Sequence, residues 1–338
     1  MRESPARAGG HGGPRPGAEV LPGRFILPGL VDAHCHLSVS QGDDGRPVAV
    51  GLAAARANAA KARSAGVTVI RDTGSPGSVT LGLLGTADGG GLVACGRFLA
   101  PQGRYHPGLH VPVGSEDLVD AALAEVAAGA RWVKVIADFP VLRPGEPPLD
   151  AMPTYPLAAV RRLVQAVHGV GARVAAHSTT RHVTELIAAG IDSVEHGTGL
   201  TEADVALLAA RGGAWTPTLC ATMGADPHDD PERRKRRLEL RERLSFLLPM
   251  AADRGVTIMT GTDVVGSIPR EVALLAELGL PPQTALAAAS TAARRYLGFA
   301  GRRNGELADL VSYGSDPRDD PAVLGHPVAV FAGGARLR

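Results

Sequence analysis

What the sequence lacks narrows its function before any motif is read. Net charge is almost absent: 35 Lys and Arg against 34 Asp and Glu leave +1 over 338 residues, so no global field would draw the chain onto nucleic acid or an anionic membrane. No apolar run approaches the roughly 18 residues that span a bilayer. The Gly- and Pro-rich stretch from Met1 to Gly23 lacks the apolar core of a signal peptide, which makes the cytoplasm the expected address. Three cysteines, Cys35, Cys95 and Cys220, are too few and odd in number for a disulfide framework. Lysine is scarcest of all. Only Lys61, Lys134 and Lys235 occur, and every other basic residue is arginine. The motifs of serine hydrolases, P-loop and dinucleotide-binding proteins and His-Glu-x-x-His metalloenzymes are missing too.

What is present is an alternation. Eight short β-branched or apolar runs precede turn residues and helical patterns: Leu30–His36, Val67–Asp72, Leu92–Leu99, Trp132–Ala137, Arg173–His177, Ser193–His196, Ala214–Thr218 and Thr257–Thr260. Between the fifth and sixth, Val183, Leu186 and Ile187 keep the helical period and Gly190 supplies a C-cap. Eight βα units predict an α/β protein built as a (β/α)8 barrel over residues 27–300. The last stretch, 301–338, holds three more apolar runs (Asp309–Tyr313, Ala322–Leu324, Val328–Ala332) and reads as strands of a small, truncated β-sandwich. Residues 1–26 are expected to be flexible and to carry its remnant. The charge run Glu232–Arg243 reads as the solvated face of a helix.

In such a barrel the chemistry gathers at the C-terminal strand ends. Strand 1 closes with His34-Cys35-His36, whose alternation puts both imidazoles on one side. Alone, a His-x-His pair is a weak signal, more often packed core histidines than a site. Yet strand 5 ends in His177, strand 6 in His196, and strand 8 runs into Asp263, so four of eleven histidines and one carboxylate share one end of the sheet. Neutral imidazole and carboxylate are a ligand set for Zn2+ and related ions. Lys134 lies inside Trp132-Val133-Lys134-Val135-Ile136, where an ammonium is costly unless it snorkels or pairs. A chain that otherwise writes Arg points there to an amine that can lose its proton.

These residues resemble the amidohydrolase superfamily, and within it the imidazolonepropionase-like and prolidase-like branch. The likeness rests on Leu27-Pro28-Gly29-Leu30-Val31-Asp32-Ala33-His34-Cys35-His36, Gly66–Asp72, Ser193-Val194-Glu195-His196-Gly197, Gly261-Thr262-Asp263 and Ala308-Asp309-Leu310-Val311. The resemblance implies two divalent metal ions, Zn2+ first among them: His34, His36 and Asp263 on one, His177 and His196 on the other. Lys134, carboxylated by CO2, would bridge them as a carbamate. It also implies hydrolysis of an amide or related C–N bond by a metal-bridging hydroxide, with Asp263 as the catalytic base and then acid. The substrate classes implied are an N-acyl amino acid, a dipeptide or a cyclic amide.

Arg104, Tyr105 and His106, after strand 3, are candidates for substrate binding, as is His182 in the turn after strand 5. The Pro-rich run Asp138–Pro153 is a candidate lid. The sequence departs from its relatives in the short run before Leu27 and in Ala137-Asp138-Phe139-Pro140, where prolidase-like proteins carry a Gly-containing turn. A mononuclear cyclic-amide hydrolase or deaminase, which needs no carboxylated lysine, stands as the alternative. A non-catalytic barrel is the reading of another class. The expected partner is a small-molecule substrate rather than nucleic acid or membrane, and homo-oligomerisation stays open.

Overall fold

A computed structural model describes residues 20–86, 89–143, 145–146, 149–224, 230–299 and 308–338. The chain begins with β1 (Phe25–Pro28), β2 (Leu30–Cys35) and the hairpin β3 (Val39–Gln41)–β4 (Pro47–Ala49), followed by helix α1 (Leu52–Ser64) and β5 (Val67–Asp72). The third barrel strand is broken into β6 (Leu92–Ala94) and β7 (Phe98–Leu99). Next come α2 (Leu118–Ala127), β8 (Trp132–Ile136), the pair β9 (Asp138–Pro140) and β10 (Ala151–Pro153), α3 (Leu157–Gly169) and β11 (Arg173–Ser178). The remainder of the barrel is α4 (Val183–Ala189), β12 (Ser193–His196), α5 (Glu202–Ala210), β13 (Ala214–Thr216), α6 (Leu219–Met223), α7 (Pro231–Asp253), β14 (Thr257–Ile258), α8 (Ile268–Glu277), α9 (Pro282–Ala288) and α10 (Thr291–Tyr296).

All eight expected strand positions form parallel pairs. β2, β5 and β6 run side by side, and β7, β8, β11, β12, β13 and β14 form the longer arc. The arcs meet at the seam of strands 8 and 1, where Ala33 N–H donates to Thr260 O at 2.8 Å and Asp263 N–H to His34 O at 2.7 Å. Gly261 makes this approach feasible, since a Cβ there would sit 2.5 Å from His34 Cβ and 2.7 Å from Thr216 Cγ2. The alternation of β8 sends Val133 and Val135 outward to the helices and Trp132, Lys134 and Ile136 inward. Trp132 packs with Val31, Ala33, Val69, Ala175 and Met259 as the floor of the barrel. Gly190 sits left-handed at φ 105 and caps α4, as its place in the sequence predicts.

β1 pairs antiparallel with β15 (Leu310–Tyr313), which pairs with β16 (Ala329–Ala332) and then β17 (Ala335–Arg336). The terminal strands thus make a four-stranded sheet apart from the barrel, joined to it by the buried Arg294–Asp309 ion pair at 2.6 Å. One expected strand is corrected. Ala322–Leu324 lies in a 3-10 turn, Pro321–Gly325, because Pro321 fixes φ and the Asp320 carboxylate accepts from Ala322 N–H at 2.9 Å. The expected lid from Asp138 to Pro153 is likewise not a plain loop, since Phe139 faces Met152 across the β9–β10 pair. The flexibility expected of residues 1–19 lies outside the described residues. The Glu232–Arg243 run is on α7, mostly exposed, as expected. Among the described residues no helix is long and apolar enough to cross a membrane.

Candidate metal and active site

At the C-terminal end of the barrel lies a cavity of about 90 Å³ whose lining includes His34, His36, Lys134, His177, His196 and Asp263. All six expected metal residues therefore meet in one place. The ring centroids of His34 and His196 are 4.9 Å apart, those of His177 and His196 4.4 Å, and those of His34 and His36 5.3 Å. His36 Nε2 stands 3.4 Å from Asp263 Oδ1, and ligand atoms of His34, His196 and Asp263 all fall within 4.8 Å of one another.

Simple strand alternation would not deliver this set, and the backbone shows how it is overridden. Asp32 pairs with Ile70 but Cys35 with Asp72, so β2 carries an extra residue against β5. That bulge turns His34 and His36 inward after Val31 and Ala33, which already face the interior. On β12, Glu195 faces inward and its neighbour His196 would face out. The positive φ of His196, 66°, brings both to the site. Asp263 (φ 54°) and Thr218 (φ 46°) are also left-handed, so three of the four non-glycine residues with positive φ among the described residues belong to this centre.

The imidazoles are aimed by their second nitrogens. His34 Nδ1 is 2.6 Å from Glu195 Oε2, His36 Nδ1 3.0 Å from Gly74 O, and His196 Nδ1 2.7 Å from Thr218 Oγ1. Thr218 spends its one hydroxyl proton on Pro217 O at 2.8 Å, so His196 Nδ1 must be the donor and Nε2 keeps its lone pair. Burial pushes His34 down to about 4, His177 to about 3 and His196 well below the ordinary imidazole value. At neutral pH they are uncharged, as metal ligands must be. Burial raises the Asp263 carboxyl, but a hydrogen bond with His36 and the neighbouring imidazoles outweigh it and hold the group well below the usual range.

Lys134 decides whether metal fits. Its Nζ is buried, 1% of the residue is exposed, and the amine has no hydrogen-bond partner. Burial lowers its pKa to about 8. An orphaned amine in a cavity lined by imidazoles and a carboxylate is costly as it stands. The donor set and the orphan together fit a metal centre.

The groups beneath the ligands are those that sequence reasoning passed over. Arg71 lies fully buried, with Nη2 donating to Glu195 Oε1 at 2.7 Å and Nε to Ala33 O at 2.6 Å, its guanidinium 4.6 Å from the Trp132 ring centroid. Burial alone would raise the Glu195 carboxyl, but Arg71 and the hydrogen bond to His34 hold it well below the ordinary value. Asp138, at the end of strand 4, accepts from Ser178, Thr179 and Thr180 and so fixes the turn after His177. For Arg71 and Glu195 the available signal was the one applied to Lys134, a charge inside a strand otherwise read as buried.

Of the expected substrate groups, Tyr105 and His106 line the cavity. Arg104 and His182 do not, and this corrects their expected place. Arg104 Nη2 is turned onto backbone oxygens of the β9–β10 pair: Phe139 at 2.7 Å, Met152 at 2.5 Å and Pro153 at 3.2 Å. His182 begins α4 with Nδ1 2.7 Å from Glu185 Oε2 on the next turn.

The model of the Amidohydrolase family matches residues 25–336. The chain belongs to the amidohydrolase family. It is therefore a hydrolase acting on carbon–nitrogen bonds, in a family whose members are generally metal-dependent. An uncharacterized protein of Mycobacterium tuberculosis is 37% identical over 327 residues, covering 93% of this chain and 86% of that one. Among solved structures, a Xaa-Pro dipeptidase with bound methionine aligns with a TM-score of 0.75 at 23% identity, over 92% of this chain and 86% of that chain. Ochratoxinase of A. niger gives 0.76 at 22%, over 93% and 83%. These likenesses establish that this amidohydrolase has the fold of its solved relatives, a barrel with a sheet built from its ends.

Proposed function

We propose that the protein is a binuclear metal-dependent amidohydrolase that cleaves an amide or related C–N bond of a small molecule. The observation that carries this reading is the buried, unpartnered Lys134 Nζ among His34, His177, His196 and Asp263. In the proposal His34, His36 and Asp263 would hold one divalent ion and His177 and His196 the other, with Lys134, once carboxylated by CO2, as a ligand the two would share. Zn2+ suits these ligands best. When bound, the ions would supply a water that ionises near neutral pH and a Lewis acid for the substrate carbonyl.

The chain's own groups do the rest. Glu195, Gly74 and Thr218 fix which imidazole nitrogen faces the cavity. Asp263, ionised and 3.4 Å from His36, takes the proton of the attacking water and returns it to the departing nitrogen. Tyr105 and His106 border the space beside the bond. N-acyl amino acids, dipeptides and cyclic amides are the substrate classes this reading admits.

The deciding measurement is metal content per chain with intact mass under CO2-retaining native conditions. Two metals and the mass of one carbamate are expected. One metal and no carbamate would favour the mononuclear alternative, and no uptake after supplementation would end the reading. Asp263→Asn keeps the shape of the side chain and removes the base, so kcat should fall by roughly 10² to 10⁴. A variant that retains wild-type kcat would exclude Asp263 from proton transfer.

A further inference from the structure

The part of the cavity that a substrate must touch is not the part that would hold metal. Above the six metal residues its wall is Val39, Pro47, Phe98, Leu109 and Val264, with the Tyr105 and His106 rings. The chain has only six Phe and four Tyr. Three of these ten, Phe98, Tyr105 and Phe139, pack together here, with ring centroids of Phe98 and Tyr105 at 4.8 Å and of Tyr105 and Phe139 at 5.2 Å. The Phe98 ring lies 5.1 Å from that of His36 and Phe139 5.8 Å from His177, so the aromatic group adjoins both sides of the proposed centre.

The same wall has no cation to receive an anionic substituent. Among the described residues no arginine lines the cavity, in a chain that uses arginine for nearly every positive charge. The arginine nearest in sequence, Arg104, directs its guanidinium at three backbone carbonyls. Lys134 is the one basic amine present, and the proposed function commits it to the metals. A carboxylate beside the scissile bond would lose its hydration against valine, leucine and phenylalanine with no fork-shaped partner.

We infer that the substrate is uncharged next to the scissile bond: a neutral amide, carbamate, urea or lactam with apolar substituents, and not an N-acyl amino acid or dipeptide with a free carboxylate there. The inference rests on the proposed hydrolase reading and narrows its substrate classes. Recognition falls to shape, aromatic contact and neutral hydrogen bonds from Tyr105 and His106.

Two matched pairs isolate the charge. N-isobutylacetamide differs from N-acetylvaline by the missing carboxylate, and 4-nitroacetanilide differs in the same way from 2-acetamido-5-nitrobenzoate, whose carboxylate is ortho to the acetamido nitrogen. With the metal-loaded full-length enzyme, kcat/KM for the neutral member is expected to exceed that of its partner at least tenfold in each pair. Equal values or a preference for the carboxylates would overturn the inference while leaving the hydrolase reading intact. If all four resist hydrolysis, the amide-hydrolase reading fails for acetamides, and binding still decides the inference. Neutral members should raise the melting temperature of the metal-loaded protein at concentrations where the carboxylates do not, and the opposite ranking or equal shifts would refute it.

Discussion

Replacing Lys134 with methionine should make the metal-free protein more stable and the metal-supplemented protein almost inactive. The Nζ is buried without a partner, and an unsatisfied polar group in such a place costs about 1–3 kcal/mol. Methionine has similar length and no hydrogen-bonding obligation. A rise in melting temperature of roughly 2–6 °C is expected without metal. Burial lowers the Lys134 pKa from 10.5 to about 8, so the folded apoprotein bears the cost of charging the amine below pH 8. That cost fades as pH rises towards 10.5, where the unfolded chain also loses the proton, and the advantage of methionine should shrink over that window. Lys134→Ala leaves a cavity and should lose stability instead. Both variants should bind about half the metal of the wild type and lose most of the activity. Retention of both metal and activity in Lys134→Met would show that no carbamate is needed and would overturn the binuclear reading.

The second large effect concerns Arg71, whose guanidinium reaches His34 through Glu195. Arg71→Met strands the Glu195 carboxylate in the barrel interior, and breaking a buried pair from one side typically costs about 3–5 kcal/mol. Adding Glu195→Gln should restore most of that stability, because no unpaired charge remains. It should not restore function. With the carboxylate gone, His34 Nδ1 loses its charged acceptor, and groups that orient a metal-binding imidazole are worth about 10- to 100-fold in metal affinity. Denaturant melts and metal titrations of the two single variants and the double separate these effects. Arg71 has a merely structural role if metal affinity recovers together with stability.

Much of this could be read from residues alone, and what could not has a consistent cause. The eight strands, the histidines and Asp263 at the strand ends and the exceptional lysine follow from period, position and composition, while their assembly into one metal centre is what the family resemblance implies. The bulge in β2 and the left-handed backbone of His196 could not be foreseen, because period-two logic has no place for a residue that changes face. Arg104 shows another limit. A loop arginine reads as a substrate clamp until the fold supplies carbonyls for it to hold. The Ala322–Leu324 run was apolar enough for a strand, but proline and an aspartate cap act locally and prevailed. Glu195 and Arg71 were visible as charges within strands, yet only three-dimensional pairing reveals their shared task.

The seam of the barrel has a consequence for biosynthesis. Asp32 accepts from both the backbone and the hydroxyl of Thr262 across 230 residues of chain, and the neighbouring Asp263 N–H donates to His34 O. The first two imidazoles thus leave the ribosome roughly 10 to 45 s before the carboxylate that completes their centre, at ordinary rates of synthesis. Through that interval strand 1 has a neighbour on one side only, an edge open to wrong pairing or to a chaperone. Any metal capture by the proposed centre would therefore have to wait for strand 8, and a nascent chain halted before residue 263 would expose histidines without a competent site.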